Sequence, residues 1–325
     1  MPYDVRREEL PALAPEWAGL LSRCEEPVPF MHPTWQRVWL EEFQAARELL
    51  LLAARDGGRL AGVATLLREG GKLSFAGHYS ICDYMDFVVA PDGCGEVFDA
   101  LLAALLREEW SELELRGLRE GSVTLSELVP RLRAAGLSVE QEEEAVAPRV
   151  ALPGDWEAYL AALPKKDRHE LRRKLRRLQA AGELEFHIYT SPEDVGERLP
   201  TLLRLMVESR SDKAAFMSEQ MGRFFHRMAL AMAGEGIVRL YELELDTRPV
   251  ASVLCLHQGR ELLFYNSGYD PQYAGLAVGL ASKAFCLRDA IASGCAHADF
   301  LRGKEPYKYD LGAEDRQVYK LTVRR

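Results

Sequence analysis

A chain of 325 residues, 48% hydrophobic and 28% charged, holds enough apolar material for two ordinary domains and lacks the bias of a disordered or fibrous protein. Its net charge of −9 at pH 7 argues against nucleic-acid binding by the whole surface, and no DNA partner is expected. No apolar run reaches the ~18 residues that span a bilayer, so membrane insertion is not expected either.

Met1–Trp17 contains no hydrophobic signal core. The six cysteines are scattered without a C-x-x-C pair and read as reduced core residues, so the expected location is the cytoplasm. The entry, 1–33, is irregular with a helix over 15–24. Thr34 then reads as the N-cap of a helix over 35–46, with Trp35, Val38, Trp39 and Phe43 on one face. Apolar runs at 49–55, 60–68 and 73–77, separated by Asp56-Gly57-Gly58 and Gly70-Gly71, describe an antiparallel meander. An aromatic and acidic loop (78–86) follows, then a short run at 87–90, a helix over 97–109 and a strand at 111–116. A helix over 122–135 ends at Gly136, and 137–143 is extended. The acidic run Gln141–Glu144, with Pro148 and Pro153 beyond it, marks a boundary between domains 1–147 and 148–325.

The second half repeats the plan. Asp155 caps a short helix over 156–162, and a basic helix begins at Pro164 and ends at Gly182. A strand at 183–189 and helices over 191–209 and 218–233 lead into a second meander at 237–245, 250–257 and 261–267. A loop, a helix ending at Gly294, a strand at 298–301 and a last strand at 317–323 complete the chain. Three antiparallel strands, a helix and a strand thus occur once in each half, as in a diverged duplication.

The chemistry concentrates between Glu261 and Gly312. There a strand turns through Gln272-Tyr273-Ala274-Gly275-Leu276-Ala277 into a helix containing Gly279. Free amides and the positive end of a helix dipole make such a turn a seat for a phosphate or pyrophosphate. Beyond the helix, Asp299-Phe300-Leu301-Arg302-Gly303-Lys304-Glu305-Pro306-Tyr307-Lys308 packs five ionisable side chains, besides the Tyr307 phenol, into ten residues after a buried strand. Arg302 or Lys308 can hold a phosphate or an oxyanion, and Asp299 or Glu305 can take a proton from an attacking ammonium. The same charges also suit a structural ion-pair cluster. Cys286 and Cys295 read as core. No G-x-S-x-G elbow, H-E-x-x-H pair or Cys/His ligand spacing is present, so no covalent nucleophile and no metal site are expected. Leu171, Leu175 and Leu178 form the apolar stripe of the basic helix. Its other face reads either as a solvated surface or as a guide for a tRNA, a CoA or an anionic sugar phosphate.

Gln272, Gly275 and Ala277 match the phosphate-loop pattern of the GNAT acyltransferases. SGYDPQY, AIASG, DFLRGKEPYK, ESRSDK and the basic helix together resemble Fem-like double-GNAT enzymes, the group filed beside BioF2-like or CelD-like acetyltransferase domains. The resemblance covers most of 156–320 and implies an α/β (α+β) fold. It implies tandem GNAT-like domains, each a mixed, mostly antiparallel sheet flanked by helices. It further implies transfer of an acyl group from acetyl-CoA or another acyl-CoA to a small-molecule amine, with aminoacyl-tRNA as the donor in the Fem branch. On that pattern Gln272, Tyr273, Gly275, Leu276, Ala277 and Gly279 hold the donor. Lys308 steadies charge beside Tyr307, with Asp299 and Glu305 as further catalytic candidates. Arg302, Tyr269 and the loop residues Asp83, Tyr84 and Asp86 are candidates for the acceptor. The first half has Pro91-Asp92-Gly93-Cys94-Gly95-Glu96 in place of the phosphate-loop pattern, so it is expected to be a degenerate scaffold on the acceptor side.

Overall fold

The computed structural model describes residues 3–325, leaving out the side chains of residues 211, 212 and 214. The chain divides into two compact units, one running to Ala145 and taking back Arg316–Arg325, the other spanning Val146–Asp315.

The first unit opens with strand β1 (Tyr3–Arg7) and helices α1 (Leu10–Leu21) and α2 (Pro33–Phe43). The meander β2 (Glu48–Asp56), β3 (Arg59–Glu69) and β4 (Lys72–Phe75) is followed by β5 (Val88–Val89), α3 (Cys94–Leu105), β6 (Glu112–Arg119) and α4 (Val129–Ala134). Strands run in the order β1-β2-β3-β4-β6. The pairings are antiparallel except β4 with β6, where Lys72–Ser74 lie parallel to Glu112–Glu114. From Leu60 to Leu66 every side chain that β3 carries is buried, as in a strand covered on both faces.

Strand β7 (Ser138–Ala151) carries the chain into the second unit. There follow α5 (Trp156–Ala162), α6 (Lys165–Gln179), β8 (Leu184–Tyr189), α7 (Pro192–Ser209), α8 (Ser211–Phe216) and α9 (Glu219–Gly234). The second meander is β9 (Val238–Leu245), β10 (Arg248–Gln258) and β11 (Glu261–Tyr269), then α10 (Val278–Ala292), β12 (His297–Asp299) and α11 (Pro306–Asp310). The last strand is β13 (Glu314–Arg324). The second sheet runs β7-β12-β11-β10-β9-β8, again antiparallel except where Glu261–Leu263 of β11 lie parallel to His297–Asp299. Each half therefore repeats a meander, a helix and a parallel fifth strand. Helix α10 is buried along most of its length, and α6 covers part of it with Leu171 and Leu178. On the sheet, α7 comes so near β11 that a Cβ on Gly268 would stand 2.2 Å from the Met206 nitrogen.

Several boundaries differ from the sequence reading. The N-cap of α2 is His32, whose Nδ1 accepts the Thr34 amide at 3.3 Å, because Pro33 rather than Trp35 opens the helix. The acidic run 141–144, read as a boundary, lies within strand β7, with the units dividing just after it at Ala145; Pro148 is tolerated in that strand because only its carbonyl bonds, accepting the Phe300 amide at 2.9 Å. The final strand, assigned by sequence to the second half, pairs antiparallel with β6 from Val318 to Arg324 and so completes the first sheet. Among the described residues no helix is long and apolar enough to cross a membrane.

Candidate functional site

Strands β11 and β12 make a fork in the second unit. They pair only from Glu261 to Leu263. Then β12 stops at Asp299, while β11 continues to Tyr269 with no strand on that edge among the described residues. A bulge at Tyr265 loosens β11 at the same point, since Leu254 pairs with Asn266 and Cys255 with Phe264. Bulges of this kind twist a strand and re-aim its side chains. One contact on β11 comes from Lys213, whose Nζ donates to the Ser267 carbonyl.

At the top of β11 the chain forms a 3-10 turn, Pro271–Leu276, held by Asp270. The buried Asp270 carboxylate accepts the Gln272 amide at 2.9 Å and faces Arg248 at 3.2 Å. Ala277 then adopts φ +58°, which costs a non-glycine residue about 1 kcal/mol and sets the start of α10. The first amides of α10 have no acceptor within the helix, and none is found for Val278 or Gly279 among the described residues. Gly275 is open, with nothing within 4 Å of where a Cβ would stand, whereas a Cβ on Gly279 would meet the Tyr269 ring at 3.1 Å. Arg248 stands over the Tyr273 ring at 5.6 Å. Gln272, Tyr273, Gly275, Leu276, Ala277 and Gly279 are thus brought together around one helix start. Tyr269 serves there as packing for Gly279.

Inside the fork, Phe264 stacks on Phe300 with ring centres 4.7 Å apart, and Phe300 meets Tyr307 edge-on at 6.1 Å. Lys283 of α10 lies over the Tyr307 ring at 4.9 Å and donates to the Gly279 carbonyl at 3.0 Å. It is 7% exposed, and burial pushes its pKa down to about 8. Burial pushes the Tyr307 phenol up, with Glu305 adding to the shift. Sequence reasoning missed Lys283. The available signal was one cation inside an otherwise uncharged helix segment of small and apolar residues, Ala281-Ser282-Lys283-Ala284-Phe285.

Lys308, expected to steady reaction charge, is 2% exposed and already committed. Its Nζ donates to the carbonyls of Leu301 (2.9 Å), Arg302 (3.0 Å) and Gly303 (3.0 Å) and pairs with Glu305 at 2.9 Å. An ammonium has three protons, so no donor is left for an oxyanion. Asp299 is equally enclosed, accepting the Leu301 amide at 2.6 Å. For half-buried Glu305, burial raises the pKa, but the Lys308 ammonium outweighs it and holds the carboxyl below its usual range. Arg302 is half-buried, its carbonyl taken by Lys308. The ion cluster therefore locks the turn that ends the fork.

Asp83, Tyr84 and Asp86 lie in the first unit. Asp86 accepts Ser122 Oγ and Thr124 Oγ1, each at 2.5 Å, and the Phe87 amide at 2.8 Å; burial raises its pKa against those bonds. Tyr84 is 2% exposed under Arg119. Asp83 presents its backbone carbonyl to Gly117, where an added Cβ would meet it at 3.2 Å. Tyr84 is engaged in packing, and Asp86 ties its loop to Ser122 and Thr124.

The exposed face of α6 borders a cavity of about 430 Å³ lined by Trp156, Arg172, Arg176, Ala284, Phe285 and Arg288, among others. Arg172 pairs with Glu157 at 2.7 Å, whereas Arg176 and Arg288 have no carboxylate partner among the described residues. Burial pushes the Cys286 thiol well up, as expected of a core cysteine.

Residues 165–309 match the family model described as an acetyltransferase (GNAT) domain. Comparison with curated protein sequences returns no match. Among solved structures, FemX superposes with a TM-score of 0.68 at 10% identity, covering 98% of this chain and 96% of that one. The C-terminal domain of an Agrobacterium fabrum protein described as a putative lysylphosphatidylglycerol synthetase gives 0.64 at 11%, covering 98% and 93%. A tandem GNAT protein from the clavulanic acid biosynthesis pathway gives 0.50 at 15%, covering 98% of each chain. The mixed, mostly antiparallel sheets flanked by helices are those expected of the tandem fold. The match to the acetyltransferase (GNAT) domain model thus takes in the fork, the helix start and both buried lysines.

Proposed function

We propose that the protein transfers an acyl group from acyl-CoA to a small-molecule amine by direct attack. The observation that carries this reading is the β11–β12 fork, opening beside a helix start with free amides and lined by Lys283 and Tyr307. A pyrophosphate suits the amides of Val278 and Gly279 and the open space at Gly275, and the acyl arm suits the unpaired edge of β11. The amine nitrogen bonds to the thioester carbon, the carbon–sulfur bond breaks, and the thiolate takes a proton while the new amide nitrogen loses one. Lys283, mostly protonated at pH 7 with its pKa near 8, is placed to steady the oxyanion and supply the thiolate's proton. Glu305, held anionic by Lys308, is placed to attract the acceptor's ammonium.

In this reading the first unit is a scaffold. Its equivalent helix start, at α3, is covered: Arg131 stands 2.7 Å from the position of a Cβ on Gly95, and the Tyr3 hydroxyl 2.5 Å from one on Gly93. A second reading, an aminoacyl-tRNA donor as in a Fem-type transferase, draws on Arg176 and Arg288 beside α6, which lack carboxylate partners among the described residues.

Thermal unfolding with acetyl-CoA, longer acyl-CoAs, free CoA and charged tRNA separates the readings. A ligand at 100 times its Kd adds about 2.7 kcal/mol of stability. A shift with CoA species that vanishes in Gly275→Glu supports the first reading. A shift with charged tRNA alone supports the second, and no shift with either leaves a GNAT-shaped binding protein.

A further inference from the structure

The outer strands of the second unit carry a cluster that the proposed acyl transfer does not use. Strands β8 and β9 pair with Glu185 opposite Glu244 and His187 opposite Glu242, so strand alternation puts all four side chains on one face. His187 Nε2 lies 3.1 Å from Glu185 Oε2 and 3.7 Å from Glu244 Oε2, and the three ligand atoms fall within 4.8 Å of one another. A tetrahedron of metal–ligand bonds ~2.05 Å long has edges of about 3.4 Å. The two histidine spacings straddle that value without any movement of the strands.

The second observation is Glu242. It is 1% exposed, and its carboxyl lies against that of Glu244. One oxygen faces Arg198 Nη1 at 3.5 Å, and the other, Oε2, is buried with no hydrogen-bond donor. A buried acceptor without a donor is costly, and like charges directly opposite across strands repel. Two carboxylates, Glu185 and Glu244, thus converge on one imidazole, with the Glu242 carboxyl behind Glu244 and held by a single long contact to Arg198. A cation relieves both penalties at once.

We propose that Glu185, His187 and Glu244, with Glu242 beside them, bind one divalent first-row transition cation. Carboxylate oxygens with one imidazole suit Mn²⁺, Fe²⁺ or Zn²⁺, not a thiolate-seeking Cu⁺. Bound there, the ion clips the edge strand β8 to β9. Chain spacing carried no sign of it, because strand pairing and not a local motif brings the ligands together.

The test is calorimetric titration of untagged, EDTA-treated protein with ZnCl₂, MnCl₂ and MgCl₂, alongside thermal unfolding. One Zn²⁺ or Mn²⁺ per chain is expected, held more tightly than Mg²⁺, with a raised melting midpoint. His187→Ala and the exposed-site variant Glu185→Gln should each weaken binding about tenfold or more and reduce the thermal shift. Absence of saturable Zn²⁺ and Mn²⁺ binding below about 1 mM, or binding unchanged in both variants, overturns the proposal.

Discussion

Lys308 Nζ lies 2.9 Å from the carbonyl of Leu301, a non-glycine residue held at φ +56°. With Gly303 at φ +117°, the turn points three successive carbonyls at one buried ammonium, and Asp299 holds the Leu301 amide from the other side. The strain of the turn and the burial of the lysine are each sustained by the other. Replacing Lys308 by methionine strands three carbonyls and Glu305. The expected loss is about 3–5 kcal/mol, read as a lower urea midpoint. Wild-type stability in that variant would sink this account.

Lys283 should behave in the opposite way. Its charged form is disfavoured by burial, so its folded pKa of about 8 lies below the unfolded value near 10.5. The unfolded chain then holds more protons across that window, so wild-type stability should rise as pH climbs from about 8 to 10.5. The gain is about 3 kcal/mol. Lys283→Met should lack that slope and be at least as stable as wild type at pH 7, yet lose about 100-fold or more in kcat with acyl-CoA. Urea melts across pH and steady-state rates check both halves. An active Lys283→Met enzyme removes this lysine from the chemistry.

Gly275 and Gly268 make a paired prediction. Gly275 has open space around it, so Gly275→Glu should fold with an unchanged melting midpoint and lose CoA binding through its added negative charge. At Gly268 a methyl group would meet the α7 backbone, so Gly268→Ala should cost about 2–3 kcal/mol. Differential scanning calorimetry distinguishes the two. A destabilised Gly275→Glu or an unaffected Gly268→Ala contradicts the packing described.

Glu242 sets a separate pH dependence. Burial, opposed by Arg198 and reinforced by Glu244, pushes its pKa up to about 7 from the usual 4.5. The folded state therefore holds the extra proton, and this residue's contribution to stability should fall as pH rises from about 4.5 to 7. Glu242→Gln should flatten that slope in metal-free protein. An unchanged slope would mean that another group titrates there.

Much of this protein was legible along the chain because the signals are local. Asp155, Ser191 and Ser218 cap helices through bonds to amides three residues on, and glycine turns punctuate both meanders. The turn from Gln272 to Ala277 was recognisable for the same reason. Lys283 and Lys308 were harder to judge. Their types and positions were visible, but which lysine is saturated by carbonyls and which keeps free donors depends on how α10 and α11 close on the fork. Asp86 was similarly opaque, since its partners Ser122 and Thr124 lie far along the chain.

The sequence by itself determined the repeated element order, the helix start with its small residues, and the GNAT resemblance, all of which rest on propensity, capping and short-range spacing. The tertiary structure alone decided that the last strand completes the first sheet, that Lys308 locks a turn while Lys283 faces the fork, and that Glu185, His187, Glu242 and Glu244 share one face. Strand pairing and burial are long-range relations. Hydrogen-bond saturation and desolvation follow from them, and local sequence carries no record of either.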